Sequence, residues 1–387
     1  MSARCGGVIL AALTILLVAC ADDPLEADAR GTRASLADSE VQVGLVWDAG
    51  VSTGFIHGAE MARDRLNETG GILGRPLQLI PVDEGGDDSA AERGREISRH
   101  LGSNPDLVAV VGHAHGDVAM AASVNYERFG ILFLAPAVTR MDLTQSGFQY
   151  VFRTIPNNEL RALQLAAAAS KAGFRRIALL HSRTTRYEEQ ANAFETYAVD
   201  LGMRVVFRRS YFDGRDNYRG DLANLSGLDV DAVLVASGFD TTRAVIVQSR
   251  EMGVDEPILV GELLTLAALQ EALGPRADGI VVPLVFNPES RERRILDFRA
   301  SYQSRHASTP AWDAAQGFDA IMLLAHVMEQ AGSTTPLTAA SLLRYTLAWQ
   351  GITGRHSFTR AGDVYTKVFS FASMQNGEPR IFSFTDE

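Results

Sequence analysis

The sequence has little lysine, almost no cysteine and no excess of positive charge. Only two of its 387 residues are lysines, Lys171 and Lys367, and neither lies in a G-x-x-x-x-G-K segment, which excludes a P-loop nucleotide site. Both cysteines, Cys5 and Cys20, fall within the first twenty residues, so the rest of the chain can form no disulfide. Acidic residues outnumber basic ones by 47 to 36, giving a net charge of -11. This balance argues against nucleic-acid binding, because a basic surface supplies most of that affinity.

Long hydrophobic runs are also missing, apart from one short run near the N-terminus. Residues 6–18 form an apolar stretch of about 13 residues after Arg4, shorter than the roughly 20 that span a bilayer as a helix. The stretch ends in Leu17-Val18-Ala19-Cys20, which resembles a bacterial lipobox, where the cysteine is lipidated and becomes the first mature residue. We therefore expect a lipoprotein signal peptide at residues 1–19 and a lipid on Cys20; a plain secretory signal or a membrane anchor are the alternatives. The polar residues 20–40 show no hydrophobic period and are expected to be a lipidated tether.

Short apolar segments alternate with helical segments through the remainder of the chain, in two similar series. This alternation predicts parallel sheets built from βαβ units, and the two series predict two α/β lobes. Helices near 291–304, 311–331 and 337–349 and closing antiparallel strands at 365–371 and 380–384 are expected to complete these lobes. The predicted strands of the two series and the later block are Val41–Trp47, Leu77–Val82, Leu107–Val111, Ile131–Leu134, Ile177–His181, Val205–Arg208, Ala232–Ala236, Ile258–Val260 and 280–286.

Ligands of open α/β sheets bind beyond the carboxyl ends of the strands, and several suitable side chains lie there. The hydroxyl of Thr139, with free backbone N–H groups around it, suits a carboxylate, while Glu262 could face an ammonium group. Trp47, Tyr187 and Phe239 each end or follow a strand on the same side and could line a pocket. The alternatives are a helix cap for Thr139, a solvated loop acid for Glu262 and a core position for Trp47. No G-x-G-x-x-G follows the first strand, so no dinucleotide cofactor is expected.

The segment Gly112-His-Ala-His-Gly116 contains two histidines two residues apart. It has the frame of a hydrolase elbow, but Ala114 stands where the serine nucleophile would be needed. His113 and His115, with Asp117 nearby, could hold a metal, although only His57 and His181 are plausible additional ligands. We expect a polar loop at the rim of a cleft and no metal site.

A set of short motifs in a fixed order resembles the type I periplasmic binding proteins of the Leu/Ile/Val-binding kind, over roughly residues 41–387. The resemblance implies two Rossmann-like lobes with parallel sheets, joined by a hinge of three crossovers near Arg153–Asn158, Pro283–Phe286 and Gly351–His356. The implied N-terminal lobe comprises residues 41–154 and 287–350, and the C-terminal lobe comprises residues 155–286 and 351–387. The motifs are Gly58-Ala-Glu60, Leu66-Asn-Glu68, Gly70-Gly-Ile-Leu-Gly-Arg-Pro76, Asp83-Glu-Gly-Gly-Asp87, Ala135-Pro-Ala-Val-Thr139 and Tyr150-Val-Phe-Arg-Thr154.

The resemblance also implies binding residues. In amino-acid-binding relatives, a serine after the third strand and an Ala-x-Thr segment after the fourth hold the ligand's charged groups, together with a tyrosine and an acid from the second lobe. Ala137, Thr139, Tyr187 and Glu262 match these positions, whereas Gly116 replaces the serine and Glu188 replaces a glycine. With Phe239 in place of a common tyrosine, these departures suggest a different ligand. The expected ligand-binding residues are Trp47, His115, Gly116, Asp117, Ala137, Val138, Thr139, Tyr187, Phe239 and Glu262.

The function implied is that of an exported solute-binding lipoprotein, facing the periplasm or the cell exterior, and not of an enzyme. It would capture a small polar ligand, an amino acid or a related amide or carboxylate, by hinge closure and deliver it to an ABC-type permease. A monomer with no cofactor and no nucleic-acid partner is expected. The alternatives are a sensor that reports ligand to a membrane partner, a metallohydrolase using His113 and His115, and a structural lipoprotein with a degenerate cleft.

Overall fold

A computed structural model describes residues 24–86, 89–225, 227–345, 348–375 and 378–382. The predicted signal peptide, residues 1–19, and the predicted lipidation site Cys20 lie outside these residues. Within the described ranges, no helix combines the length and the apolar character needed to cross a membrane.

The described chain alternates strands and helices along most of its length. The strands are β1 Val41–Trp47, β2 Leu77–Asp83, β3 Leu107–Gly112, β4 Leu132–Ala135, β5 Val151–Arg153, β6 Arg176–Ser182, β7 Arg204–Tyr211, β8 Ala232–Ala236, β9 Ile258–Val260, β10 Ile280–Leu284, β11 Trp349–Gly351, β12 Gly354–His356, β13 Ser370–Gln375 and β14 Glu378–Phe382. The helices are α1 Ala27–Leu36, α2 Gly54–Glu68, α3 Ala90–Gly102, α4 Gly116–Arg128, α5 Asp142–Gln145, α6 Asn158–Lys171, α7 Thr185–Asp200, α8 Arg219–Leu222, α9 Phe239–Glu251, α10 Leu266–Leu273, α11 Arg293–His306, α12 Trp312–Ala331 and α13 Pro336–Tyr345.

Two mostly parallel sheets form the centres of two lobes. The first sheet is parallel throughout and has the order β2-β1-β3-β4-β5. The second has the order β14-β13-β10-β9-β8-β6-β7, parallel from β7 to β10 and antiparallel at β13 and β14. Central strands such as β3 and β8 are buried along their whole length, as their continuous apolar sequences predict for strands covered by helices on both faces. The predicted α/β class with two lobes is confirmed.

Helix α12 packs closely against α2 and so brings a late part of the chain onto the first lobe. A Cβ atom on Gly58 would lie 1.9 Å from the carbonyl oxygen of Ala314, and one on Gly317 would lie 2.2 Å from that of Phe55. The two backbones can approach this closely only because neither helix carries a side chain at the crossing point. Through this contact, a helix that follows strands β6–β10 of the second lobe in the chain becomes part of the first lobe.

The chain passes between the sheets three times: after β5, after β10 and between β12 and β13. The third passage lies later than the predicted residues 351–356, because these form part of the β11–β12 hairpin. The hairpin is fixed to α12 through Asp319, whose carboxylate accepts the N–H groups of Ile352 at 2.9 Å and Thr353 at 2.7 Å. Residues 357–369 therefore make the crossing.

The bounds of two elements late in the chain, α13 and β13, differ from the prediction. Helix α13 ends at Tyr345 rather than 349, because Trp349 opens the hairpin strand β11. The strand predicted at 365–371 begins only at Ser370. The preceding residues belong to the third crossing and are held by Gln164 of α6, which donates to the Lys367 carbonyl at 3.0 Å and accepts the Phe369 N–H at 2.6 Å.

The expectation of a tether over residues 20–40 is wrong for the segment that forms α1. This helix is docked by Arg30, whose side chain is fully buried. The guanidinium donates to four backbone carbonyls: Phe129 at 2.8 Å, Asn104 at 2.8 Å, Leu107 at 2.6 Å and Gly102 at 2.7 Å. These carbonyls lie at the C-terminal ends of α3 and α4 and at the start of β3, where the helix dipoles favour a cation. A single buried cation thus docks a segment whose sequence has no apolar period.

Candidate functional site

A cavity of about 400 Å³ lies between the lobes, at the carboxyl ends of the parallel strands. Sheets of this topology place ligands at that edge, as the sequence predicted. The first lobe contributes residues after β3 and β4, and the second lobe contributes residues after β6. The lining residues are Ala114, Gly116, Asp117, Ala137, Val138, Thr139, Arg140, Arg183, Thr184, Thr185 and Arg186.

The wall formed by the first lobe presents hydrogen-bond donors to the cavity. Helix α4 begins at Gly116, and its first turn leaves the N–H groups of Gly116, Asp117 and Val118 without intrahelical acceptors. The Thr139 side chain is only 3% exposed, and its hydroxyl oxygen has no hydrogen-bond partner in the described part of the chain. This hydroxyl can therefore donate or accept a hydrogen bond at the cavity wall.

Arg140 pairs with two acidic side chains of the same wall, Asp142 and Asp117. Its guanidinium binds Asp142 through Nη2–Oδ2 at 2.6 Å and Nε–Oδ1 at 3.1 Å, and it also binds the carboxylate of Asp117. These pairs raise the pKa of Arg140 above its ordinary value. Asp117, which lines the cavity, is therefore already paired with a cation.

The wall formed by the second lobe is basic. Arg183 is exposed; its Nε donates to the Ser210 hydroxyl at 3.1 Å, and its guanidinium lies 4.8 Å from the ring centre of Phe212. Helix α7 begins at Thr185, and the Thr184 carbonyl accepts the N–H groups of Tyr187 and Glu188. The first N–H groups of α7, like those of α4, have no intrahelical acceptors. The two lobes thus aim two helix N-termini at one cavity.

Glu262 lies behind this wall, held by donors from the protein itself. Its Oε1 accepts from Arg186 Nη2 at 2.8 Å and from the Leu263 N–H at 2.8 Å, and its Oε2 accepts from the Tyr187 hydroxyl at 2.5 Å. Arg161 Nη2 lies 3.7 Å from Oε1. Burial alone would raise the pKa of Glu262, but the positive charges of Arg186 and Arg161 hold it below its ordinary value. Both carboxylate oxygens are therefore occupied.

The structure brings only part of the predicted site to the cavity wall. Gly116, Asp117 and the segment 137–139 line the cavity, whereas the other five predicted residues do not. Tyr187 and Glu262 bind each other one layer behind it, and Phe239 begins α9 and packs partly on the core of the second lobe. Those that do not line the cavity are Trp47, His115, Tyr187, Phe239 and Glu262.

Trp47 and His115 are each engaged elsewhere. The Trp47 indole is buried in the core of the first lobe and stacks on Phe55, with ring centres 3.9 Å apart. Trp47 therefore occupies the core position that was given above as the alternative to a place in the pocket. His115 Nε2 lies 2.8 Å from Asp48 Oδ2, and this hydrogen bond lowers the pKa of Asp48.

The two histidines of the 112–116 segment point to different partners. His113 is buried, with Nδ1 2.5 Å from Glu84 Oε2 and Nε2 3.0 Å from the Tyr126 hydroxyl, whereas His115 binds Asp48. Over the residues that the structure covers, no group of three or more His, Cys, Asp or Glu side chains is arranged to hold a metal ion. The arrangement gives no support to metallohydrolase chemistry.

Sequence reasoning missed the basic residues of the cavity. The segment Arg183-Thr-Thr-Arg186 stands directly between β6 and Tyr187, and both of its arginines line the cavity. Two arginines in a strand-end loop of an acidic protein were an available signal. Arg140, one residue beyond Thr139, was missed in the same way.

Comparisons with known proteins agree with this architecture. The family described as "Periplasmic binding protein" matches residues 42–378. A leucine-, isoleucine-, valine-, threonine- and alanine-binding protein of Pseudomonas aeruginosa is 22% identical over 317 residues, covering 81% of this chain and 82% of the relative. The leucine-specific-binding protein of Salmonella typhimurium is 24% identical over 322 residues, with coverage of 82% and 85%.

Solved structures show the same fold. An ABC transporter substrate-binding protein of Desulfitobacterium hafniense, in complex with Leu, is similar with a TM-score of 0.79 and 28% identity, over 89% of this chain and 100% of that one. A solute-binding protein of R. palustris in complex with benzoate has a TM-score of 0.75 at 21% identity, over 89% and 96%, a likeness of fold alone. The family match covers most of the chain and both lobes, so the chain belongs to the periplasmic binding protein family, whose members are solute-binding proteins and not enzymes.

Proposed function

We propose that this protein is an exported, lipid-anchored receptor that captures a small polar solute, an amino acid or a related amide or carboxylate. The observation that carries the proposal is the interlobe cavity, where the buried Thr139 hydroxyl without a protein partner lies on the same wall as the N-terminus of α4. Helix N-termini and free hydroxyl groups are ready donors to a carboxylate.

Binding and closure are coupled in this proposal. The donors come from both lobes, so a ligand that contacts both walls favours the closed arrangement, the only one in which all contacts are made. The two moving bodies would be the predicted lobes, 41–154 with 287–350 and 155–286 with 351–387, except that the hairpin residues 351–356 would move with the first lobe, to which Asp319 fixes them. Relatives whose names specify leucine, isoleucine or valine support an amino-acid-like ligand, and the relatives described as ABC transporter components support delivery to a permease. The lipobox-like segment before Cys20 supports anchoring to a bacterial membrane.

Calorimetric titration of the purified protein with amino acids, their amides and simple carboxylates tests the proposal. We expect at least one compound to bind with one-site stoichiometry, to raise the unfolding temperature, and to make the protein more compact in small-angle scattering. If no compound in the panel binds, the proposed function is wrong.

A substitution at Thr139 tests the site itself. Thr139→Ala removes the hydroxyl that has no protein partner, so we expect ligand affinity to fall at least tenfold with little change in unfolding temperature. Thr139→Ser keeps the hydroxyl and serves as the matched control, with affinity within about threefold of the parent. Equal affinities of the parent and Thr139→Ala in calorimetry would place the ligand elsewhere.

A further inference from the structure

We propose that the cavity is specific for a small dicarboxylate, with one carboxylate bound by each lobe, and that Glu262 positions Arg186 instead of receiving a ligand ammonium. This inference rests on the proposed function, since it names the ligand class of the same site.

The side-chain charges of the cavity wall favour an anion. The lining residues include three arginines and one carboxylate, Asp117. Arg140 pairs with Asp117 and Asp142, and Arg186 pairs with Glu262, so the excess positive charge of the lining is that of Arg183. Arg183 has a hydroxyl and an aromatic ring as its neighbours, and no carboxylate of the described chain forms an ion pair with it. The second lobe therefore presents an uncompensated positive charge to the ligand, in a protein that is acidic as a whole.

Glu262 already accepts hydrogen bonds from the protein on both oxygens, and a ligand ammonium would meet Arg186 and Arg161 at the same carboxylate. Three donors occupy its two oxygens: Arg186 Nη2, the Tyr187 hydroxyl and the Leu263 N–H. Displacing Arg186 would leave its guanidinium without its counter-ion, next to Arg161, whose Nε and Nη1 are buried and already lack partners. The carboxylate thus fixes Arg186 at the cavity wall, and a ligand ammonium would meet cations there.

Each wall is equipped for one carboxylate. On the first lobe these groups are the N-terminus of α4 and the Thr139 hydroxyl, which is buried and without a partner in the described ranges. On the second lobe they are the N-terminus of α7, Arg183 and Arg186, whose Nε is also buried and free of hydrogen bonds to described residues. Charge-assisted hydrogen bonds from arginine and helix N-termini are the strong contacts for carboxylates.

Matched sets of ligands test the proposal. Succinate, glutarate and adipate are each titrated beside the monocarboxylate of the same length (butyrate, pentanoate and hexanoate) and beside the α-amino derivative (aspartate, glutamate and 2-aminoadipate), with leucine as a further probe. We expect the best dicarboxylate to bind at least tenfold more tightly than its monocarboxylate and than leucine. Its amino derivative should bind no more tightly than the dicarboxylate itself.

Variants assign the second carboxylate to the second lobe. Arg183→Gln should weaken the dicarboxylate at least tenfold and its monocarboxylate less than twofold. Arg204→Gln removes the same charge from the same lobe at the start of β7, the sheet edge opposite the cavity, and should leave both affinities unchanged.

The possible failures are distinguishable. If leucine or another amino acid binds tenfold more tightly than every dicarboxylate, or if Arg183→Gln weakens both members of a pair equally, the dicarboxylate inference is overturned and the solute-binding function stands. If no compound binds, both are overturned.

Discussion

At the scale of single residues, Lys367 lies at a junction between the lobes. Its Nζ is buried and donates to Gln316 Oε1 at 2.8 Å and to Thr353 Oγ1 at 2.6 Å, beside the carboxylate of Asp319. Gln316 in turn donates to the Pro136 carbonyl at 2.8 Å, in the loop that leads to Thr139. Burial lowers the pKa of Lys367 to about 7, and the nearby carboxylate only partly offsets this effect.

Lys367 gives stability a pH dependence of known sign. Above pH 7 the folded chain has released the Lys367 proton, whereas the unfolded chain retains it up to the ordinary pKa of 10.5. The unfolded state then binds more protons, so the contribution of this group to the free energy of unfolding rises with pH, by at most about 1.4 kcal/mol per unit. We expect urea unfolding at pH 7 and pH 9 to show a larger rise for the parent than for Lys367→Met. Lys171→Met, at an exposed lysine, is the control, and parallel behaviour of all three proteins would contradict the assignment.

At the scale of elements, α1 depends on the four carbonyl contacts of Arg30. We expect Arg30→Met to undock the helix, to lower the free energy of unfolding by about 2–3 kcal/mol, and to expose residues 24–40 to limited proteolysis. Ligand affinity should not change, because α1 lies at the amino ends of β3 and β4 and the cavity lies at their carboxyl ends.

A neighbouring arginine in α1 provides the control for this prediction. Arg33 forms an exposed ion pair with Asp106 at 2.6 Å, a kind of contact that contributes little to stability because solvent screens it. Arg33→Met should therefore leave α1 docked. Equal protease sensitivity of the two variants would show that Arg30 is not what fixes the helix.

The elements that could be predicted from sequence are those in which a run of consecutive apolar residues indicates burial. The strand predicted at Leu107–Val111 is found at Leu107–Gly112, because a strand covered on both faces needs an unbroken apolar run. Helix α1 escaped prediction because its docking depends on one cation meeting carbonyls more than seventy positions away. The β11–β12 hairpin escaped for a similar reason, since its partner is Asp319 on a distant helix.

The same distinction applies to the site. The loops after β3 and β4 were predictable for two reasons. Topology alone places the strand ends at the cleft, and Thr139 carries a hydroxyl that can bind a polar ligand. Whether Glu262 is available to a ligand depends on Arg186 and Arg161, and no local pattern shows that these three side chains meet. The sequence therefore predicted where the cavity lies, but not the charges of the side chains that surround it.

At the scale of the whole molecule, Glu189 of α7 joins the second lobe to the first. Its Oε2 accepts from the Met141 N–H at 3.2 Å, just after the cavity loop of the first lobe, and from Asn158 Nδ2 at 2.7 Å. These contacts stabilise the arrangement in which the two walls of the cavity face each other.

Removing this link should weaken binding without touching the ligand. We expect Glu189→Ala to favour the open arrangement and to reduce ligand affinity about fivefold, which corresponds to the loss of roughly 1 kcal/mol from the closed state. Asp200→Ala, at the exposed far end of the same helix, should bind as the parent does. Small-angle scattering without ligand should show Glu189→Ala as the more expanded protein; identical profiles and affinities would refute a role in closure.

The docking of α1 also limits how far the molecule could stand from a membrane. Cys20 precedes Ala27, the first residue of α1, by seven positions, a span that cannot exceed about 25 Å even when fully extended. A lipid on Cys20 would therefore hold the amino-terminal edge of the first sheet near the bilayer, with the mouth of the cavity directed outward. Solute would enter from the side that faces away from the membrane. Delivery to a membrane partner would then require the whole receptor to rotate about its short N-terminal tether, so that the cavity faces the bilayer.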